Sequence, residues 1–139
     1  MAAPAGTPFR EKQTRSLEAL PTAVSEARRW VAGVADGLLQ AEQAENLRLV
    51  ISEVVTNALM HGASGRRIDV AVTPKPEFLC VQVTDDGPGL VPRPAALGGT
   101  DGEEGGFGLY FVEQLTRRWG VTREDRRTRV WFELDYVTH

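Results

Sequence analysis

The stretch AEQAENLRLVISEVVTNALMH, residues 41–61, decides the fold. Its apolar positions Leu47, Val50, Ile51, Val54, Val55, Ala58 and Leu59, at about 100° per residue, form one broad stripe. That spacing predicts a long helix over Ala41–His61, stopped by Gly62. On one border of the stripe stand Glu53, Asn57 and His61, at i, i+4 and i+8. They fall near one line along the helix. Polar groups at such a border can line a cleft while the stripe packs on a sheet. A carboxylate and an amide oxygen one turn apart suit Mg²⁺, which keeps several waters and takes few protein oxygens. Glu53 can alternatively accept a proton from an attacking hydroxyl or water. Taken alone, the same residues also fit a solvated helix face that ends in a histidine.

Before this helix, Val24, Ala27, Val31 and Val34 recur at helical spacing and predict a helix over Thr22–Gly37. Thr22 is its candidate cap, with Ser25 and Glu26 in the first turn, and Gly37 its candidate stop. The segment Arg10–Leu20 reads as a first strand or an extended arm, ended by Pro21. Residues 1–9, small and rich in Pro and Gly, read as a flexible tail. After the helix, Ile68, Val70 and Val72 alternate with Asp69 and Ala71, and Leu79, Val81 and Val83 alternate with Cys80 and Gln82. With Thr73–Glu77 as a turn, these predict an antiparallel hairpin.

From Asp85 to Gly106 no apolar period survives, and glycine and proline dominate. A loop this long inside a compact domain marks function or disorder. Phe107–Trp119 then reads as a helix with Leu109, Phe111, Val112 and Leu115 on its buried side, ended by Gly120. Val121–Glu124 and Arg129–Tyr136 read as a last pair of strands, with Val130, Phe132 and Leu134 pointing inward. The order predicts an α+β fold: a two-layer α/β sandwich with helices on one face of a mixed, mostly antiparallel sheet. Residues 10–139 form one expected domain.

Composition narrows the function classes. With 42% hydrophobic residues, the 139-residue chain can bury a core without staples. A net charge of -3 argues against a protein held to nucleic acid by broad phosphate neutralisation. It leaves room for a basic patch that meets an acidic protein surface. One cysteine, Cys80, allows no internal disulfide and no cysteine metal cluster, and its apolar strand predicts a buried, inert thiol. No run of 18 apolar residues and no basic-then-apolar leader occur. The expected compartment is the cytoplasm.

Two further segments carry candidate chemistry. Asp85-Asp86-Gly87-Pro88-Gly89 follows an alternating strand directly. A carboxylate at a strand end can accept a hydrogen bond from an exocyclic amine such as that of adenine. The glycines permit close backbone approach, although an ordinary Asp-Gly turn has the same look. Gly105-Gly106-Phe107-Gly108-Leu109 enters a helix, where free amides and the helix dipole favour phosphate. No Gly-Lys-Ser/Thr occurs, so the Walker pattern is absent, and no strand immediately precedes, so the dinucleotide-binding pattern is absent too.

In conjunction these motifs resemble those of the GHKL ATPase superfamily. Glu53 to Gly62 resembles its N box, Asp85 to Gly89 its G1 box, Gly106 to Leu109 its G2 box, and Thr128 to Leu134 its threonine-bearing last strand. The resemblance covers roughly residues 15–136. Within the superfamily, Ser52-Glu53, Thr56-Asn57-Ala58, Arg118 to Val121 and Val130 to Leu134 look most like the small anti-sigma-factor serine kinases of bacteria.

The resemblance implies the Bergerat fold, with ATP (or ADP) and Mg²⁺ as cofactors and a lid over about residues 90–104. It implies Glu53 as general base and Asn57 as Mg²⁺ ligand, with Asn57 and His61 of the N box among the nucleotide-binding residues. It implies Asp85 as acceptor of the adenine amine, Gly87 and Gly89 as shapers of the adenine pocket, and Thr128 near adenine. Gly105, Gly106, Phe107, Gly108 and Leu109 form the turn whose amides face phosphate. The family departs from this chain at two positions: Arg127 stands where glycine is common, and Phe107 where Arg, Lys or a small residue is common. The implied partners are a sigma factor and an anti-anti-sigma protein, without direct nucleic acid or membrane contact, and a homodimer is consistent with the family. The alternatives are a nucleotide-sensing module without transfer, and a detached histidine-kinase-type catalytic domain.

Overall fold

The computed structural model describes residues 10–61, 67–85, 109–124 and 127–138. In chain order the elements are β1 (Gln13–Glu18), α1 (Thr22–Val34), α2 (Ala41–His61), β2 (Arg67–Pro74), β3 (Phe78–Asp85), α3 (Tyr110–Leu115), β4 (Arg118–Glu124) and β5 (Arg127–Asp135). The strands form one five-stranded sheet in the order β1-β2-β3-β5-β4. Every described pairing is antiparallel. The expected α+β architecture is therefore present, and Arg10–Leu20 resolves in favour of a strand.

Alternation builds the sheet. Ile68, Val70 and Val72 on β2, Leu79, Val81 and Val83 on β3, and Val130, Phe132 and Leu134 on β5 lie in register on one face. All are buried. The helices cover that face: α1 buries Ala23, Ala27, Val31 and Val34, and α2 buries Leu47, Val50, Ile51, Val54 and Val55. Each large aliphatic side chain removed from water contributes about 1.5–3 kcal/mol. The hydrophobic stripe read in the sequence is thus the seam between the layers.

Several boundaries differ from the sequence expectation. α1 ends at Val34 rather than Gly37, and a turn follows. Gly37 sits in that turn with φ +85°, a left-handed conformation that suits glycine. Thr22 is not a side-chain cap: Pro21 holds the cap position, and Ser25 Oγ donates to the Thr22 carbonyl at 3.2 Å. The strands of the hairpin extend through Thr73 and Pro74 and begin again at Phe78.

The largest correction concerns Phe107–Trp119. The described helix is only Tyr110–Leu115, and Thr116 already has extended backbone, φ -106° and ψ 159°. Trp119 and Gly120 belong to β4 and pair with Phe132 and Trp131. Sheet pairing wins because Arg117 N donates to the Glu133 carbonyl at 2.8 Å, which captures the chain for the sheet. Gly120 does not stop a helix. A Cβ there would lie 2.7 Å from Trp131 Nε1, so the indole crosses the bare backbone of β4.

The opposite sheet face carries no described helix. Cys80 lies there, opposite Thr73 and Glu133, half-buried rather than in the core. Burial first, and the Glu133 charge second, push its thiol above the ordinary value, so it stays protonated. No described helix is long and apolar enough to cross a membrane.

Candidate functional site

The site is built where α2 ends. α2 packs against α1 and α3 and reaches β3 and β5. Its apolar stripe fixes the rotation of the helix, and that rotation presents Glu53 and Asn57 at the stripe's border. Asn57 is buried, 3% exposed, although it is polar. Burying an amide costs stability unless it is hydrogen-bonded, so its position is a constrained one.

Glu53 meets α3. Its Oε1 accepts a hydrogen bond from the Val112 backbone amide at 2.9 Å. Burial raises the Glu53 pKa above the ordinary carboxylate value, and backbone amides of Phe111, Val112 and Tyr110 pull it partly back. The carboxylate therefore serves as acceptor for the orphan amides at the start of α3, which lacks a side-chain cap of its own. This partner was not legible in the sequence, because 59 residues separate the two groups.

Asp85 and Thr128 lie side by side at one end of the sheet. They are register partners at the end of β3 and the start of β5. Alternation from Val83 and Val130 puts both on the helix-covered face, where they are 6% and 5% exposed. Ile68 pairs with Asp85 on the other side, so the end of β3 lies beside the start of β2. The chain enters β2 shortly after α2 ends, which places Asp85 at the same end of the sheet as the last turns of α2.

Arg127, the residue in place of a common glycine, points the other way. Its guanidinium meets Asp69 Oδ2 at 3.0 Å, an exposed pair on the open face of the sheet. Period-two alternation thus turns the bulky cation to the open face while Thr128 faces the helices. Leu109 is fully buried, so its side chain is core, and only its backbone is available for a ligand. Gly87, Gly89, Gly105, Gly106, Phe107, Gly108 and the expected lid over residues 90–104 lie outside the described residues, as do residues 1–9, Gly62 and the His61 side chain.

The donor set is chemically coherent. A buried carboxylate beside a buried hydroxyl fits an exocyclic amine and its neighbouring ring nitrogen. A buried neutral amide oxygen fits a hard cation. A half-buried carboxylate of raised pKa fits proton transfer.

Comparison with known proteins agrees with this geometry. The model of the histidine kinase-like ATPase domain matches residues 17–134. The chain belongs to this family. The match spans every described element from the end of β1 to β5, so the motif order read in the sequence and the family assignment coincide. A solved structure of the RsbU and RsbW domains of Rv1364c from Mycobacterium tuberculosis is similar, with a TM-score of 0.67 and 18% identity. The similarity covers 91% of this chain and 32% of that one, so this chain spans about a third of its length. At that identity the likeness is one of fold. No curated protein matches the chain. Membership in an ATPase domain family implies nucleotide binding as the coarse function.

Proposed function

We propose that the chain is an ATP-binding serine-protein kinase and anti-sigma factor of a bacterial partner-switching system. It acts in the cytoplasm as a single domain over residues 10–139, phosphorylates a serine of an anti-anti-sigma protein, and sequesters a sigma factor. The observation that carries this reading is the placement of Glu53. Its carboxylate is half-buried against the start of α3, one turn from buried Asn57.

Bound ATP supplies the phosphoryl group and Mg²⁺ shields its charge. The chain's own residues do the rest. Asp85 accepts from the adenine amine and Thr128 stands beside it. Asn57 holds the cation. The amides near Gly106 and Gly108 face phosphate. Glu53 takes the proton from the serine hydroxyl, its basicity increased by burial. Phosphoryl transfer needs mainly positioning and charge stabilisation, so this small set is sufficient.

A second reading has the same contact in its favour. Glu53 is already engaged by the Val112 amide, as a purely structural acceptor would be. On that reading the chain senses nucleotide without transferring phosphate.

A phosphotransfer assay with labelled ATP against candidate anti-anti-sigma proteins and histidine-bearing partners separates these. The expected result is label on serine, with transfer lowered about a hundredfold or more in Glu53→Gln while ATP still binds. Undiminished transfer by that variant removes Glu53 from the reaction. Label on histidine moves the chain to the histidine-kinase type. Binding without transfer to any partner leaves the sensing module.

A further inference from the structure

A concave surface lies at the β1 edge of the sheet, between α1 and β1. It is a groove of about 490 Å³ whose lining includes Arg10, Gln13, Arg15, Glu26, Arg29 and Trp30. β1 is an edge strand. Alternate backbone amides and carbonyls of an edge point away from the sheet, and among the described residues no strand lies opposite them. Gln13 and Arg15 pair with Val72 and Val70, whose side chains are buried under the helices. Both nonetheless remain exposed, unlike Leu17 two positions on. The helix layer leaves this corner of the sheet open.

The walls of the groove are charged and partly fixed. Arg10 donates to the Val34 carbonyl at 3.1 Å, which anchors its guanidinium at the rim. Arg15 and Arg29 have no hydrogen-bond or ion-pair partner among the described residues. Trp30 is half-buried against the core and adds an apolar surface to the same lining. Arg10, Arg15 and Arg29 face one carboxylate, Glu26, in a chain whose net charge is -3. Guanidiniums gathered in a cleft raise the association rate of an acidic partner.

We propose that this groove docks an extended acidic segment of a partner protein. The segment adds a strand to the free edge of β1. A strand repeats its side-chain direction every second residue, so acidic side chains at positions i and i+4 reach Arg15 and Arg29 while an apolar one at i+2 rests on Trp30. The observations disfavour other occupants. Antiparallel pairing of β1 with a second copy centred on Arg15 would set the two Arg15 side chains directly opposite, and opposed like charges destabilise a strand pair. Nucleic acid would meet Glu26 and the chain's net negative charge. The proposal does not depend on the kinase reading, because no residue of the groove belongs to the Glu53–Asp85 site.

Fluorescence anisotropy of the full chain tests it. The probes are a labelled peptide of alternating glutamate and threonine with one central leucine, the same peptide with lysine for glutamate, and a short single-stranded DNA. Backbone chemical shifts locate the contact. The glutamate peptide is expected to bind, to shift amides of Gln13–Glu18 and the Trp30 indole, and to lose about tenfold in affinity in the double variant Arg15→Glu/Arg29→Glu. Both substitutions are on exposed residues, and an unchanged melting curve verifies the fold. No binding of the glutamate peptide overturns the proposal. Equal affinity in the variant, shifts confined to other elements, or tighter binding of the lysine peptide or the DNA do the same. Concentration-dependent dimerisation through β1 would assign the edge to a second copy instead.

Discussion

The Glu53 carboxylate accepts the Val112 backbone amide at 2.9 Å, and through this contact α2 holds the start of α3. α3 has six residues, too few to be stable as an isolated helix. Its free amides need acceptors, and a negative charge at a helix start is favoured by the dipole. Glu53 thus fastens two elements of the site and keeps a carboxylate oriented within it. Its charge is favoured by the amides and disfavoured by burial, and burial is the larger effect.

That balance gives a pH signature. Because the folded pKa of Glu53 is raised above 4.5, the native state holds its proton more tightly than the unfolded chain. Its contribution to stability is then fully present below the unfolded pKa and is lost as pH rises through the folded one. Glu53→Gln keeps an acceptor oxygen and removes the charge. At neutral pH the variant should melt at a higher temperature than wild type. The gap should close as the buffer is taken down toward the ordinary carboxylate range. Thermal melts across pH check it. A wild type that is the more stable form at neutral pH would mean that the amides outweigh burial.

Asp85 should decide nucleotide affinity. It is a buried acceptor opposite Thr128, and Asp85→Asn replaces half of its acceptor capacity with a donor. Titration calorimetry with ATP and Mg²⁺ should show affinity lower by about ten- to a hundredfold. Equal affinity in the two proteins would take Asp85 out of the adenine role.

Arg127 should be neutral in the same titration. Its ion pair with Asp69 is on the open face and both side chains are exposed. Such a pair contributes about 0–1 kcal/mol. Arg127→Ala should bind ATP within about twofold of wild type, since the substitution lies across the sheet from the pocket. A loss as large as that of Asp85→Asn would show that this arginine reaches the nucleotide.

Gly120→Ala should destabilise through a single neighbour. The added methyl would sit 2.7 Å from Trp131 Nε1, so the indole or the strand must move. The expected cost is about 1–3 kcal/mol. In a Trp131→Ala background the same change should cost far less, because the obstructing ring is gone. Denaturant melts of the four proteins measure the coupling, and additive effects would contradict the packing described.

Short-range regularities carried most of the fold and the outline of the site. The apolar stripe of Ala41–His61 specified α2 to the residue. The alternation around Val70, Val81 and Phe132 specified three neighbouring strands and the face each buries. Asp85 was a candidate because it stands at the end of an alternating strand, and Thr128 only through the family resemblance, since the last strand read from alternation began at Arg129. The sequence also carried the family, since its glycine and Asn motifs recur in a fixed order.

Tertiary pairing decided the rest. Trp119 and Gly120 look like the end of a helix, but long-range hydrogen bonds to β5 outweigh local helical preference there. Arg127 reaches Asp69 because β2 and β5 flank β3 in the sheet, a neighbourhood that no local pattern encodes. The partner of Glu53 and the uncovered groove at β1 likewise depend on which elements lie side by side. Periodicity fixes what a segment buries. Only the packed sheet and helices fix which polar groups, distant along the chain, come within a hydrogen bond of one another.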